Sequence, residues 1–382
     1  MNWKKVLLIA FALVLTMGLV ACDGDDPVAD IEEALDPDNG DAISIVVVTS
    51  PSGVDDGSFN QNNYEGVQNF IEHFDGEVNV NTIREPEMDN AVNAVEQIVA
   101  NYDIVVLPGF QFAGITPVAE ANPDTYFILV DTFPVDEEGE EVELANVFAM
   151  RFAEQESGFF AGIAAALETE TGKVAFVGGG AIPPVVNYHF GFDSGVNFAN
   201  AHLGTDAEIV ELAAFSGTDV RDIEIGGNYV GTFNDEARGK QIGDALIAED
   251  VDIMFVAAGG SGNGAFTAAK EADDVMVIGC DVDQFDLGVD GDRNVVLTSA
   301  LKVMDLNVER QIQAIVDGAF VGGNYVMQAD TESTGMVTLD GRHQLHPDTV
   351  TAILEAFDGV KIGDIVPPGN FSDDTPDDFP GL

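Results

Sequence analysis

Short apolar runs alternate with stretches of helical periodicity along most of this chain. The runs Ile43–Thr49, Tyr126–Val130 and Met276–Gly279 contain few polar side chains. Such runs are typical of strands that are buried on both faces of a parallel sheet. Between the runs, apolar side chains recur every three to four residues, as in 63–74 and 234–247, which is the spacing of a helix face. The alternation therefore predicts an α/β fold of strand–helix repeats.

The pattern runs through once and then starts again near residue 146, which predicts two similar, doubly wound lobes. The predicted strands are 43–49, 78–83, 103–107, 126–130, 146–152, 173–177, 209–215, 252–257 and 276–279. The predicted helices are 63–74, 88–101, 114–122, 156–167, 188–202, 234–247 and 263–272.

The length of the chain also favours two lobes. Beyond its N-terminal leader the chain has about 360 residues, more than one hydrophobic core usually serves. We predict 43–152 and 284–325 in the first lobe, and 153–283 and 326–366 in the second. In this division the segment 295–319 crosses back from the second lobe to the first.

The first residues have the pattern of a secretory leader. Two lysines precede an apolar stretch, and Leu-Val-Ala-Cys closes it at Cys22. This predicts a signal peptide over 1–21 rather than a membrane span. The closing motif resembles the bacterial lipobox, which implies a lipid on Cys22 and a chain anchored to the outer face of the cell membrane; the alternative is a plain signal peptide. Residues 22–42 are predicted to be an acidic tether, and 367–382 an acidic tail.

The charge of the chain is strongly negative. Sixty-eight acidic residues against 14 basic ones give a formal charge of −54, while 46% of the residues are hydrophobic. That apolar content excludes the composition of a disordered chain, and the charge argues against nucleic-acid polymers as partners. Salt screens such self-repulsion, so we hypothesise a salt-loving source. A melting temperature that does not rise between low and molar sodium chloride would contradict this.

The loop after the first strand concentrates candidate binding chemistry. It contains Ser50, Asp56 and, just beyond, Phe59 and Asn60. Ligands of parallel α/β sheets bind outside the carboxyl ends of the strands, so a site is expected here. Acids and amides can hydrogen-bond a polyhydroxylated ligand, and Phe59 can stack on a flat ring.

Polar or glycine residues also follow later strands. Asp131, the pair Gly259 and Gly260, and Asp281 each come just after a predicted strand, and Lys302 closes a further apolar run. This arrangement is expected of a cleft lined by strand ends. Any single Asp could instead be a helix N-cap, since Asp is common at that position.

The sequence favours neither an enzyme nor a cofactor or metal site. The glycine run 259–264 lacks the Gly-Lys-Ser/Thr of a phosphate loop, and the acidic pairs do not continue with calcium-loop spacing. The histidines, among them His189, fall in helix-like segments without metal-ligand spacing. Cys280 lies in an apolar run and is interpreted as a buried small hydrophobe.

Nine segments together carry a resemblance to a known family. They are VDDGSFNQNNYEG (54–66), LPGFQF (107–112), FILVDT (127–132), RFAEQESGFFAG (151–162), IPPVVNYHFGFDSG (182–195), GTFNDEARGK (231–240), AAGGSGNGAF (257–266), IGCDVDQ (278–284) and VLTSALK (296–302). In this order the chain resembles the basic membrane protein family of lipoproteins, and within it the PnrA-like purine nucleoside receptors, from about residue 43 to 365. The resemblance implies a type I periplasmic-binding fold and the role of a substrate-binding protein of an ABC transporter.

The resemblance also implies roles for particular residues. Phe59 and Phe233 match the two aromatic rings that grip the purine. Asp131, Asp281 and Lys302 match the residues that bind the ribose hydroxyls. Asn60, Gly259 and Gly260 are expected to line the same cleft. Relatives often carry Asp nine positions before the first phenylalanine, where this chain has Ser50. A hydroxyl both donates and accepts, so a relaxed or shifted base preference is expected.

The function expected from this resemblance is an anchored, monomeric receptor that closes over a nucleoside and delivers it to a permease with its ATPase. The sequence leaves three alternatives. One is a ligand-sensing or surface interaction lipoprotein with the same cleft, and another is a sugar-binding protein of the same fold. The third is a nucleoside hydrolase that uses Asp55 and Asp56.

Overall fold

The apolar runs predicted as strands form two parallel sheets. The computed structural model describes residues 42–369, which all belong to one compact unit. The signal peptide, Cys22, most of the acidic tether and the acidic tail from residue 370 lie outside the described residues.

The strands are β1 (Ile43–Thr49), β2 (Val78–Arg84), β3 (Ile104–Pro108), β4 (Tyr126–Val130), β5 (Val147–Phe152), β6 (Lys173–Gly178), β7 (Glu208–Ile209), β8 (Gly217–Thr218), β9 (Glu224–Gly226), β10 (Ile253–Ala257), β11 (Met276–Gly279), β12 (Val289–Asp290), β13 (Arg293–Asn294), β14 (Val296–Lys302), β15 (Gly323–Met327) and β16 (Thr334–Met336). The α-helices are α1 (Phe59–His73), α2 (Ala91–Glu96), α3 (Thr116–Ala121), α4 (Glu154–Glu168), α5 (Pro183–Phe198), α6 (Glu236–Ala248), α7 (Gly262–Glu271), α8 (Met304–Val316) and α9 (Pro347–Lys361). Short 3₁₀ turns lie at Met88–Asn90, Val99–Asn101, Phe110–Ile115, Ala213–Phe215, Gly259–Ser261, Phe285–Gly288 and Ala329–Thr331, and a π-helical turn follows α5 at Ala199–Leu203.

The two sheets have the same strand order. The first is β2-β1-β3-β4-β5-β15, with all neighbours parallel. The second is β7-β6-β10-β11-β14-β16, parallel except for the last pair. Each sheet with its helices is called a lobe below. Apart from its last strand, each lobe has the doubly wound order 2-1-3-4-5, whose switch point lies between its first and third strands. The predicted two-lobed α/β fold is confirmed.

Two of the three crossings between the lobes lie at other places than the sequence predicted. The predicted boundary after residue 283 is corrected, because β14 pairs with β11 in the second sheet, where its apolar side chains are covered. The second crossing lies instead between Lys302 and Met304, after which α8 packs on α1. It returns after β15, which pairs with β5, so the third crossing lies beyond residue 327 rather than at 325.

Helices α4 and α5 pack backbone against backbone. A Cβ atom at Gly158 or Gly162 would collide with the backbone of Tyr188 or Phe192. Interiors this dense tolerate no added methyl group without a shift. The contact therefore fixes α5, whose first turns face the other lobe. Within residues 42–369, no helix is both long and apolar enough to cross a membrane.

Candidate ligand-binding cleft

A cavity lies between the lobes at the carboxyl ends of both sheets. It encloses about 600 Å³ of empty space, open solvent at its mouth included. The two lobes contribute equally to its lining, which is Ser50, Ser52, Asp56, Phe59, Asn60, Met88, Gly109, Phe110, Gln111 and Asp131 from the first lobe and Ile182, Pro184, Val185, Tyr188, Phe233, Ala257, Gly259, Cys280, Asp281 and Lys302 from the second. These residues follow or end β1, β3, β4, β6, β10, β11 and β14, so both switch points open into the cavity.

The loop between β1 and α1 is held by one buried carboxylate. Asp56 accepts hydrogen bonds from the backbone N–H groups of Ser58, Asn60 and Gln61 at 3.0–3.1 Å. These are the donors that the first turn of a helix leaves unpaired. Burial raises the pKa of Asp56, and these hydrogen bonds oppose that shift. Asp56 therefore shapes the loop, and its oxygens are already occupied.

The side chain of Asn60 links this loop to the end of β1. Its Nδ2 donates to Asp56 at 2.7 Å and to Oγ of Ser50 at 2.9 Å. Asn60 is 2% exposed, so the network is shielded from water. Ser50 lines the cavity, and its hydroxyl accepts a hydrogen bond from Asn60 but donates none within residues 42–369.

Asp131 and Asp281 hold equivalent places in the two lobes. Asp131 follows β4 with φ of 70°, and Asp281 follows β11 with φ of 69°. Aspartate enters this left-handed region more readily than most side chains. Asp281 accepts hydrogen bonds from the hydroxyls of Tyr188 (3.0 Å) and Ser58 (2.9 Å). Both carboxylates are therefore fixed at the floor of the cavity.

Lys302 joins the carboxylates of both lobes. Its Nζ lies 2.5 Å from Oδ1 of Asp131 and 2.9 Å from Oε1 of Glu154, and all three side chains are buried. The contact with Asp131 is the shorter of the two, so the ammonium is paired with a carboxylate of the first lobe.

The charges of this cluster interact strongly. Burial lowers the pKa of Lys302, but the carboxylates of Asp131, Glu154 and Asp281 outweigh burial and raise it above its ordinary value. Burial raises the pKa of Asp131 to about 7; the ammonium opposes this shift and Glu154 adds to it. One ammonium cannot balance three carboxylates, so the lysine stays charged and Asp131 is the group that takes up a proton.

Two aromatic residues from each lobe line the cavity, Phe59 and Phe110 from the first and Tyr188 and Phe233 from the second. Phe59 is the first residue of α1, and Lys302 Nζ lies 5.1 Å from its ring centroid. The ring of Phe233 packs against Gly179, where a Cβ atom would collide with it. Gly259, with φ of 51°, also lies next to Phe233. The glycines after β6 and β10 thus make room for a ring, rather than forming a phosphate loop.

Three hydrogen bonds connect the lobes around the cavity. Ser52 Oγ donates to the backbone oxygen of Phe233 at 3.0 Å, and Gln284 Nε2 donates to that of Gly57 at 2.9 Å. The third runs from Ser58 to the Asp281 carboxylate. These contacts exist only when the two lobes are close, so the structure represents a closed form.

Most of the residues singled out from the sequence meet here. Ser50, Asp56, Phe59, Asn60, Asp131, Phe233, Gly259, Asp281 and Lys302 line the cavity. Gly260 is not among the lining residues in the described part of the chain, although it contacts the backbone of Phe233. The sequence reasoning missed Glu154, Tyr188 and the apolar wall at Ile182, although all three lie in segments that carried the resemblance.

Comparisons with known proteins agree with one another. The model of the Bmp family, described as ABC transporter substrate-binding protein PnrA-like, matches residues 43–212 and 220–355. The CD4+ T-cell-stimulating antigen of Listeria innocua is 28% identical over 96% of this chain and 99% of its own length. The ABC transporter nucleoside-binding protein BmpA of Lactococcus lactis is 31% identical over 74% of this chain and 78% of its own. A solute-binding protein of an ABC transporter system from Aeropyrum pernix has the same fold, with a TM-score of 0.71, 23% identity, and coverage of 86% of this chain and 94% of that one.

Proposed function

The chain belongs to the Bmp family of PnrA-like ABC transporter substrate-binding proteins, and we propose that it captures nucleosides, purine nucleosides first among them, between its lobes. Members of this family bind substrates outside the cytoplasm and are not enzymes. The relative from Lactococcus lactis is itself described as nucleoside-binding. The chain has the type I periplasmic-binding fold of its structural relatives.

The observation that carries this proposal is the pair of rings, Phe59 from one lobe and Phe233 from the other, on one cavity. A base has two flat faces, and a stack on an aromatic ring contributes roughly 1–3 kcal/mol. A sugar without a base offers C–H groups to the two rings but no flat aromatic face. The ring pair therefore favours a nucleoside over the sugar that the same fold could hold.

The floor of the cavity supports the ribose. Carboxylates accept from vicinal hydroxyls, and an ammonium donates to them. Asp131 and Asp281, with Lys302 between the lobes, offer both kinds of group. A carboxylate has about four acceptor sites, so Asp131 could accept from a ribose hydroxyl while it stays paired with Lys302.

Ser50 adjusts the choice of base. Its Oγ accepts a hydrogen bond from Asn60, so its proton is free to donate to an acceptor on the base edge. Asp at this position could only accept. We therefore propose a broader base preference than in relatives with Asp, with inosine and guanosine both bound.

Closure would couple capture to delivery. A ligand that touches both lobes stabilises the closed form by its differential affinity for it. In this proposal the closed, monomeric receptor docks on an ABC permease with its ATPase, tethered through a lipid on Cys22. The anchor would hold the receptor beside the permease at the membrane surface.

A thermal-shift panel tests the proposal. The protein from Asp23 onward is melted in about 2 M salt, which screens its charge, with guanosine, inosine, adenosine, cytidine, uridine, ribose and free bases. At a hundredfold excess over the dissociation constant, stabilisation reaches about 2.7 kcal/mol. We expect a rise with purine nucleosides and none with ribose or free bases.

Three outcomes would contradict the proposal. Equal shifts with ribose and inosine would favour the sugar-binding alternative, because the rings would then contribute nothing. A flat panel from folded protein would remove the nucleoside assignment and leave the fold intact. Release of free base from inosine would favour the hydrolase.

A further inference from the structure

A second cluster of ligating side chains lies on the second lobe. His189 and Asp193 stand one turn apart on α5, and Glu211 follows β7. One atom from each lies within 4.8 Å of the others. The sequence alone indicated no metal site at His189, because Glu211 joins the cluster only through the fold.

The imidazole of His189 is almost completely buried, with 1% of its surface exposed. Its ring stacks on Phe176 with centroids 4.8 Å apart. Nε2 lies 3.3 Å from Oδ2 of Asp193 and 3.7 Å from Oε1 of Glu211. Neither approach has hydrogen-bond geometry, so Nε2 has no such partner among the described residues. Because buried polar atoms nearly always have a partner, this geometry indicates a ligand that binds at Nε2.

The other ring nitrogen indicates what that partner is. Nδ1 lies 3.1 Å from the hydroxyl of Tyr229, which is buried. The carboxylates of Asp193 and Glu211 raise the pKa of His189 to about 9 against the effect of burial. Without an ion, Nε2 therefore carries a proton between the two carboxylates, and a metal ion would bind by displacing that proton while Nδ1 stays beside the hydroxyl. A metal ligand is commonly fixed in this way by a hydrogen bond from its second nitrogen.

The spacing of the three groups fits a small divalent ion. Tetrahedral bonds of about 2.0–2.2 Å set ligand atoms roughly 3.3–3.6 Å apart. Nε2 lies 3.3 and 3.7 Å from the two carboxylate oxygens, and all three atoms lie within 4.8 Å of one another. One nitrogen and two carboxylate oxygens suit zinc, while oxygen-only sites suit calcium or magnesium. Glu211 is further fixed by the N–H of Gly227, which donates to the same Oε1 at 2.6 Å.

The cluster opens onto an acidic groove on the protein surface. Asp193, Glu208, Glu211 and Glu249 line it. Acidic walls raise the local concentration of cations, and the side chains of Asp193 and Glu211 are 30% and 45% exposed. An ion can therefore reach Nε2 from solvent, and water can complete its coordination.

We propose that His189, Asp193 and Glu211 bind a divalent transition-metal ion of the zinc class, which joins α5 to the segment after β7. The site is separate from the nucleoside cleft and does not depend on it. Its role is to fix the edge of the second lobe, where β7 is only two residues long.

Equilibrium dialysis of the purified chain against Zn²⁺ tests this proposal. The protein carries no histidine tag, is first stripped with a chelator, and is dialysed in 10 mM Mg²⁺, which occupies weak sites among the surface acids. We expect one Zn²⁺ per chain and X-ray absorption that shows one nitrogen and two oxygens near 2.0–2.2 Å. Glu211→Gln and Asp193→Asn should each weaken Zn²⁺ binding at least tenfold, and His189→Gln should abolish it.

Glu249→Gln is the matched control, since it removes a carboxylate from the same groove outside the cluster. Its Zn²⁺ affinity should stay within twofold of wild type. An equal loss in Glu249→Gln and Glu211→Gln would overturn the site, because it would indicate diffuse attraction by the acidic surface. A ring of His189 that stays protonated on both nitrogens in 1 mM Zn²⁺, observed by NMR, would also overturn it. Because Glu211 is half-exposed, its variant tests the site even if His189→Gln fails to fold.

Discussion

The loops after β1 and β6 occupy equivalent places in the two lobes, yet they present opposite chemistry to the cleft. In the first lobe, the backbone N–H groups at the start of α1 donate hydrogen bonds to the Asp56 carboxylate. In the second lobe, α5 begins with Pro183 and Pro184, which have no N–H to satisfy. The start of α1 therefore presents polar groups to the cavity, whereas the start of α5 presents an apolar wall that includes Ile182.

This difference shows that the duplicated fold does not fix the chemistry of the site. Strand order sets where the loops meet, whereas the way each helix begins decides what a ligand encounters. A ligand that satisfies both walls needs a hydroxylated edge and a flat, weakly polar face. Lys302 lies between the two walls because β14 belongs to the second sheet and its ammonium reaches Asp131 of the first lobe.

Removing the Lys302 ammonium, which lies between the polar and the apolar wall, should have the largest effect on stability and binding. In Lys302→Met, Asp131 and Glu154 lose their counter-charge in a buried place, and the loss of one partner of such a pair costs about 3–5 kcal/mol of stability. We expect a large fall in the free energy of unfolding, measured by urea denaturation, and no measurable nucleoside binding.

Lys361→Met is the control for that variant, since Lys361 pairs with Glu332 at the surface. Exposed pairs contribute less than about 1 kcal/mol. An equal loss of unfolding free energy in both lysine variants would contradict the claim that the buried Lys302 cluster holds the two lobes together.

Removing one ring tests whether both lobes contribute to the stack. Phe59→Ala and Phe233→Ala should each weaken nucleoside binding at least tenfold, since a stacked ring contributes roughly 1–3 kcal/mol. Calorimetric titration with inosine measures this. Phe74→Ala, at the far end of α1, should leave affinity unchanged. An effect from Phe59 but not from Phe233 would show that only the polar lobe grips the base.

Protonation of Asp131 should make the stability of the protein depend on pH. The folded pKa of about 7 lies above the ordinary value of an unfolded Asp, so the protonated form stabilises the fold at low pH. That contribution is lost as pH rises through 7, by about 1 kcal/mol between pH 6 and pH 8. Melting of wild type and Asp131→Asn should therefore diverge over this range, with wild type losing more. Parallel curves would mean that Asp131 does not take up the proton.

The smallest expected effect concerns the contacts between the lobes. Ser52→Ala removes the hydroxyl that donates to Phe233 and should cost about 0.5–1 kcal/mol of closure. Nucleoside should then dissociate two- to fivefold faster in stopped-flow measurements. Ser216→Ala, which loses a hydrogen bond to Glu224 within the second lobe, should not change the rate.

The sequence predicted the buried strands well and the polar helix start poorly. β1, β4 and β11 have the predicted bounds, because strands covered on both faces are apolar throughout. α1 begins at Phe59 rather than residue 63. Its first turn has buried Asn60 and Asn62 facing polar partners, and such a turn carries no apolar periodicity.

Two other errors came from contacts between distant residues. The predicted strand 209–215 is only Glu208–Ile209. The N–H of Val210 still donates to Val174 of β6, but the side chain of Asn228 bonds the carbonyl of Val210 and the N–H of Leu212, which ends the pairing. Glu154 was missed because nothing near it in sequence marks it as a partner of Lys302. The resemblance supplied the cavity residues that spacing alone could not connect.

The late return of the chain into both sheets has a consequence for how the molecule is made. Val67 and Phe70 of α1 pack against Val308 and Ile312 of α8, and β5 keeps an open edge until β15 arrives. The first lobe is therefore unfinished when residue 152 leaves the ribosome, and it stays so until Met327 has been synthesised. Neither lobe corresponds to a continuous fragment, so the protein should reach its native state only after its synthesis is almost complete.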